Sequence, residues 1–328
     1  MKNKETQTKR LTLDKFNYLR GDRPKLSILL PGIRSNMWSQ LYQSILASCT
    51  YTSFELIIVS PHPLPYMFYN YFNVKYVKDN GNPVRAFNIA AQLAEGEIIT
   101  WATDDGKFIA NGIDLVLEFF EKLGEDKKNV LVWKYTEGGK SYIDEYFKIN
   151  FHQGPDGEGI ASKYLPDNYY AFTTVMMYRE FFEEIGGFSS SYEATAMALN
   201  DFGIRAQHLG ANVELFNLLP IFACSQQEDT TGDHGPVHSA QVQNDEPHYN
   251  KLYKQKDWEN RVELKIDLST EWKKSPPVWF RKYEEKFKTA TLLRIKEEKE
   301  HKFMYFGLEA PFSYGPIAIV LSPTPPAK

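Results

Sequence analysis

In its first half the chain alternates short, uninterrupted apolar runs with longer stretches whose apolar residues recur at i, i+3 and i+4. This alternation constrains the fold more than any other feature. Residues 26–30 (LSILL), bounded by Pro24 and by Pro31-Gly32, read as a strand covered on both faces, as do residues 54–59 (FELIIV); a weaker strand is expected at 74–77. Between the first two, Trp38, Leu41, Tyr42, Ile45, Leu46 and Cys49 keep a helical period, with Ser35 or Asn36 as candidate N-cap. The clearest helix has Asn82 as N-cap, Pro83 in its first turn and Gly96 just past its end, with a small inner side of Ala86, Ile89, Ala90 and Leu93. A strand at 98–102 (IITWA) is stopped by Thr103-Asp104-Asp105-Gly106, and the helical period resumes over 113–123.

Alternating strands and helices of this kind predict right-handed βαβ units and an open, mainly parallel twisted sheet flanked by helices. Ligands of such sheets bind beyond the carboxyl ends of the strands, where residues 103–106 would sit. From about 107 to 225 the pattern is mixed: strands are expected at 130–134, 171–178, 213–216 and 221–224, and helices at 179–185 and 201–209. Beyond 226 a Gly/Asp/His-rich loop precedes residues 279–303. Their dense alternating charge predicts a solvated helix with Trp279, Tyr283 and Phe287 along one face, and the chain then runs to a Pro-rich end. The expected organisation is a polar leader (1–23), two halves of one α/β domain (24–106 and 107–225), and a flexible loop with a helical C-terminal extension (226–328).

Composition narrows the function. With 42% hydrophobic and 24% charged residues in 328, the chain can bury a sizeable core and is not a disordered or fibrous type. Its 38 basic and 42 acidic residues, a net charge of −4, give no overall electrostatic footprint for nucleic acid. Cys49 and Cys224 are the only cysteines, which excludes a disulfide scaffold or a four-cysteine zinc site and points to a reducing, cytoplasmic setting. No apolar leader segment is seen at the N-terminus, and the run at 317–321 is too short to span a bilayer, so no transmembrane segment is expected.

Asp104 and Asp105, directly after an apolar strand and before Gly106, place two hard oxygen ligands where a sheet opens to solvent. That suits Mg²⁺ or Mn²⁺ bridging phosphate oxygens, although an Asp-Gly turn also forms without any ligand. Arg85, on the helix feeding this strand, is a candidate to face a nucleotide or, alternatively, a solvated helix residue. Taken together, residues 83–88 (PVRAFN), 94–100 (AEGEIIT) and 103–106 (TDDG) resemble the nucleotide-binding half of family 2 glycosyltransferases with the GT-A fold. The resemblance is nearest to bacterial spore-coat polysaccharide transferases, whose strand also ends in Thr-Asp-Asp. It extends over roughly 24–220, with residues 24–28 and 54–58 matching the family's first two strands, and is best at 83–106.

The resemblance implies a GT-A fold with a mixed acceptor-side sheet. It makes Pro31, Arg85, Asp104 and Asp105 the nucleotide-binding candidates: Asp105 holding the metal on the diphosphate, Asp104 contacting the ribose or sharing the metal, and Arg85 helping to hold the nucleotide. Where the family carries an acidic residue at the end of the second strand, this chain has Val59 followed by Ser60-Pro61-His62-Pro63, which leaves the donor open. Residues 186–188 (GGF), then Tyr192-Glu193, then Asn200-Asp201 and Arg205 resemble the family's acceptor-side signature, in which the Asp is the general base; read alone, Asp201 is by default a helix N-cap. Glu193 is a second carboxylate nearby. In the loop at 226–238, His234 is the better candidate for a metal or diphosphate contact and His238 the second, and Gly235-Pro236 between them rule out a helical zinc motif. Tyr164, Tyr169 and Tyr170 are candidates to stack on acceptor sugars or to pack as ordinary aromatics. Gly139-Lys140-Ser141 lacks the earlier Gly of a P-loop, residues 154–159 do not open a helix as a dinucleotide motif would, and there is no G-x-S-x-G elbow.

The expected activity is a metal-dependent inverting glycosyltransferase that uses Mn²⁺ or Mg²⁺. It would move a sugar from a nucleoside-diphosphate sugar, a UDP-sugar first among them, to a hydroxyl of a glycan or other acceptor, with Asp201 as base. The alternatives are a catalytically inactive nucleotide- or glycan-binding relative and a nucleotidyltransferase. A homo-oligomer is compatible with the sequence, which leaves open whether the charged C-terminal stretch would mediate it.

Overall fold

The computed structural model describes residues 23–137, 140–141, 169–170, 172–224, 237, 239–253, 257–279 and 318–321. The larger of its two sheets has eight strands in the order β10-β6-β9-β4-β1-β2-β3-β12. Its centre is β1 (Leu26–Pro31), flanked by β2 (Phe54–Ser60) on one side and β4 (Ile98–Trp101) on the other, with β3 (Val74–Lys78) beyond β2, all parallel. An antiparallel strand, β9 (Val175–Tyr178), joins β4 to β6 (Asn129–Trp133), which pairs in parallel with the edge strand β10 (Asn212–Phe216). At the other edge β12 (Ala318–Leu321) runs antiparallel to β3. The smaller mixed sheet holds β5 (Gly106–Phe108), β7 (Tyr135–Glu137), β8 (Lys140–Ser141) and β11 (Phe222–Cys224) in the order β5-β11-β7-β8. An open, mainly parallel sheet with flanking helices and a second mixed sheet is the architecture the sequence implies.

The apolar runs are continuous because both faces of the large sheet are covered. Successive residues feed opposite cores: Leu26, Ile28 and Leu30 pack on one side with helices α1 (Trp38–Ser48) and α3 (Gly112–Glu121), while Leu29 packs on the other. That second face carries α2 (Pro83–Gln92), α4 (Arg179–Ile185), α5 (Thr195–His208) and α6 (Glu246–Tyr253). The small side of α2 lets it lie close to β1 and β2, and Asn82 caps it as expected, its side-chain oxygen accepting from Arg85 N at 2.8 Å.

Several boundaries differ from the sequence reading. Helix α1 is preceded by Met37 with no side-chain cap, in place of Ser35 or Asn36. Helix α2 ends at Gln92, well short of Gly96; Gly96 is instead where the backbone passes Ser27, a Cβ there falling 2.7 Å from Ser27 N. The strand foreseen at 171–178 is shortened to its last four residues, and α5 starts at Thr195, so Asp201 lies inside the helix and does not cap it. Helix α4 ends on Gly186 at φ +91°, and the Ile266 carbonyl passes so close that no side chain fits there.

The segment after residue 237 is part of this core. A π-helical turn (Gln241–Asp245) leads into α6, a 3₁₀ turn (Trp258–Asn260) follows, and α7 (Leu268–Lys274) docks on α2. Tyr249, Tyr253, Trp258 and Leu268 are buried in the same cluster as the sheet. The charged helix expected from 279 onward falls, but for Trp279, outside the described residues. Among the described residues no helix is long and apolar enough to cross a membrane.

Candidate functional site

From β1 the chain runs outward through β2 to β3, then returns by α2 to β4 on the other side of β1. The crevice between the ends of β1 and β4 is therefore a topological switch point, where connections diverge and leave room for a ligand. A cleft of about 440 Å³ opens there, bordered by Pro31, Arg34, Asp104 and Asp105 at the crevice and by Val59, Pro61 and Asp79 at the ends of β2 and β3. Phe87, Trp101 and Leu199 also line it.

Asp104 closes the crevice. One carboxylate oxygen accepts the backbone N–H groups of Ile33 (2.6 Å) and Arg34 (2.5 Å), and the other pairs with Arg34 Nη1 at 2.6 Å. Asp104 is buried, and its negative charge is matched by these three donors, so it fastens the loop after β4 to the loop after β1. Asp105 is half-buried and faces the cleft. Thr103 is exposed, its hydroxyl 3.4 Å from Cys224 Sγ. The two sequence-neighbouring carboxylates are thus different in kind, one a fastener and the other a cleft residue.

A resident divalent cation has to fit this arrangement. Both oxygens of Asp104 are already engaged, and among the described residues no group of three His, Cys, Asp or Glu side chains is placed to form a cage. One cleft-facing carboxylate does suit a hard cation whose remaining oxygens come from phosphate and water, which is the usual habit of Mg²⁺. Asp105 fits that role. His234 and His238 lie outside the described residues.

Arg85 is not where the sequence reading put it. Its side chain is 2% exposed and lies behind the cleft: Nε donates to both oxygens of Asp79 (3.0 and 3.1 Å), Nη1 donates to the carbonyls of Trp272 (2.6 Å) and Ser275 (3.1 Å), and the guanidinium stacks 4.8 Å from the Trp272 ring centre. A guanidinium with this many partners in the interior does not reach a ligand; it holds Asp79, whose carboxylate also accepts Gly81 N at 2.8 Å.

Asp201 is displaced in the same sense. It is 2% exposed on the inward side of α5, ion-paired with Arg205 Nε at 2.8 Å and accepting the Tyr253 hydroxyl at 2.8 Å, and it is absent from the cleft wall, where its neighbour Asn200 stands. Arg205 in turn donates to the carbonyls of Gly187 (2.7 Å) and Ile185 (3.3 Å). Burial pushes the Tyr253 and Tyr192 hydroxyls well above the ordinary phenol value, and the Asp201 charge adds to this, so both stay neutral donors. The physical reason for the displacement is helical periodicity: with α5 beginning at Thr195, residues 201 and 205 share its inner face. In this structure the carboxylate serves as an interior strut.

Glu193 accepts the Trp279 indole N–H at 2.6 Å, and Tyr169 packs edge-on against Trp258. Tyr170 makes a backbone bond to Gln207, and Tyr164 lies outside the described residues. Arg34, Asp79 and Trp279 are cleft residues that the sequence reading did not take as site residues, with Trp279 assigned to a helix face. For Asp79 the Asp-Asn-Gly turn after a parallel strand was an available signal; for the other two there was none.

No protein-family model and no curated protein matches the chain. Among solved structures it is similar to residues 1–349 of S. aureus TarS in complex with UDP-GlcNAc, at 17% identity over 62% of this chain and 59% of that one, with a TM-score of 0.45. It is also similar to the same TarS fragment in complex with UDP, at 16% identity over 75% of this chain and 76% of that one, with a TM-score of 0.47. The chain spans less than two thirds of the first of these. Likeness of this degree assigns no activity.

Proposed function

We propose that the cleft binds a nucleoside-diphosphate sugar, a UDP-sugar being the first candidate, and that the protein is a glycosyltransferase passing the sugar to a hydroxyl of a glycan or other acceptor. The observation that carries this reading is the placement of Asp104 and Asp105 at the switch crevice between β1 and β4, in the strand context where the sequence resemblance puts a diphosphate. A divalent ion, when bound, supplies positive charge opposite the departing diphosphate, and Asp105 is the residue that would hold it. Arg34 borders the same crevice, its guanidinium held there by the ion pair with Asp104. Asp104 keeps the two loops together, so that Asp105 and Arg34 are in place before a ligand arrives.

A specific observation favours a second reading, in which the chain binds a nucleotide or glycan without turnover: Asp201, the base implied by the resemblance, is locked in the interior. Release of nucleoside diphosphate from UDP-sugars supplied with Mn²⁺ and hydroxyl acceptors separates the two. Turnover supports the transferase, whereas metal-dependent binding without release supports the second reading. In either case Asp105→Ala is expected to weaken Mn²⁺-dependent UDP binding at least tenfold in calorimetry, with little change in melting temperature, since a half-exposed carboxylate contributes little to stability. Undiminished Mn²⁺-dependent binding in that variant rules out Asp105 as the metal-holding residue.

A further inference from the structure

Arg34 follows β1 at the crevice and is held twice by one carboxylate. Its backbone N–H donates to Asp104 Oδ2 at 2.5 Å and its Nη1 donates to Asp104 Oδ1 at 2.6 Å, so the guanidinium is pinned beside its own main chain. The side chain is 13% exposed and borders the cleft. A guanidinium is a flat fork of N–H donors, and Nε and Nη2 form the edge that matches two oxygens side by side. Among the described residues that edge of Arg34 makes no hydrogen bond, and neither nitrogen is sealed from solvent.

Arg205 shows what a purely structural guanidinium does in this fold. It is 1% exposed, and all three of its nitrogens are engaged, Nε by Asp201, Nη1 by the Ile185 carbonyl and Nη2 by the Gly187 carbonyl. Arg34 uses one nitrogen to fasten its loop and keeps the other two at the cleft. Its ion pair with Asp104 carries no net charge to draw an anion from afar. What the pair offers is a donor edge already fixed in direction, so little side-chain freedom is lost when an acceptor arrives. Paired oxyanion oxygens are what such an edge binds best, and Asp105, the next residue after Asp104, faces the same cleft.

We propose that Arg34 binds the diphosphate of the donor through its Nε and Nη2 edge, with Asp104 as the residue that positions it. The inference rests on the reading of the cleft as a nucleotide site, and it gives the diphosphate a contact from the chain itself besides a metal at Asp105. Hydrogen bonds between charged partners of this kind account for about a tenfold or greater share of affinity.

The test is calorimetry on the full chain with Mn²⁺ and UDP, ADP, GDP or CDP, taking the tightest of these forward and using pyrophosphate as its competitor. Arg34→Gln removes the charge and the fork. Arg34→Lys keeps a cation to pair with Asp104, and so the fastening of the loop, without the fork; circular dichroism melts check that both are folded. Arg34→Gln is expected to bind the nucleoside diphosphate and pyrophosphate about tenfold or more weakly, by the same factor for both, with Arg34→Lys in between. Wild-type affinity in either folded variant overturns the proposal while leaving the nucleotide site intact, and so does a loss that spares pyrophosphate or a wild-type site for which pyrophosphate does not compete. Failure of the wild-type chain to bind any of the four nucleoside diphosphates overturns both.

Discussion

Aspartates at positions 104, 105 and 201 look alike in sequence, each beside a turn or a helix, and their surroundings give them three different roles. Asp104 fastens two loops, Asp105 borders the cleft, and Asp201 is half of an interior ion pair. Asp201→Asn leaves the Arg205 charge buried without a counter-charge, and breaking such a pair costs about 3–5 kcal/mol. Urea denaturation is expected to show a loss of that order, with UDP affinity retained at temperatures where the variant is folded; unchanged stability together with abolished turnover would restore Asp201 as the base. The same ambiguity explains Arg85. A charged residue next to a Gly- or Asn-rich turn reads the same whether it faces a ligand or the interior, and only the partners brought from Asp79, Trp272 and Ser275 decide.

Elements built from local signals were legible. The runs at 26–30, 54–59 and 98–102 are strands, Asn82 and Pro83 open a helix, and residues 179–185 form one. What escaped were elements made by long-range pairing. Helix α7 has no strong apolar period, and Trp279 and Arg34 acquire their places only when distant loops meet. Glu271 on α7 shows how such docking is secured: its carboxylate accepts Ser190 N at 2.8 Å, and Lys274 Nζ stands 2.6 Å from it. Burial works against the charge, but the hydrogen bonds from Lys274 and Ser190 outweigh it and hold the carboxyl below its ordinary value of 4.5. A carboxyl with a lower value in the folded state stabilises the fold above its unfolded value and loses that contribution as pH falls through the folded one. The stability difference between wild type and Glu271→Gln is therefore expected to be constant near neutrality and to shrink below about pH 4.5; a difference that does not change with acid would show that the ionised form is not what secures α7.

At the scale of the whole molecule, residues 239–253 and 257–279 complete the core. Tyr249, Tyr253, Trp258 and Leu268 are each nearly inaccessible, and burying a side chain of this size contributes about 2 kcal/mol or more. Together they rival the ~5–15 kcal/mol that separates most folded domains from the unfolded state. A chain ending at Cys224 is expected to lose its cooperative thermal transition and its resistance to protease, and a sharp melt near the wild-type temperature would contradict this.

The bonds from Arg85 to Asp79 on one side and to the Trp272 and Ser275 carbonyls on the other span up to 190 positions of sequence. They couple the rim of the opening to backbone that does not line it. Slowed deuterium uptake along Leu268–Lys274 would then report occupancy from a distance, and would give a label-free way to rank candidate substrates before any reaction is observed.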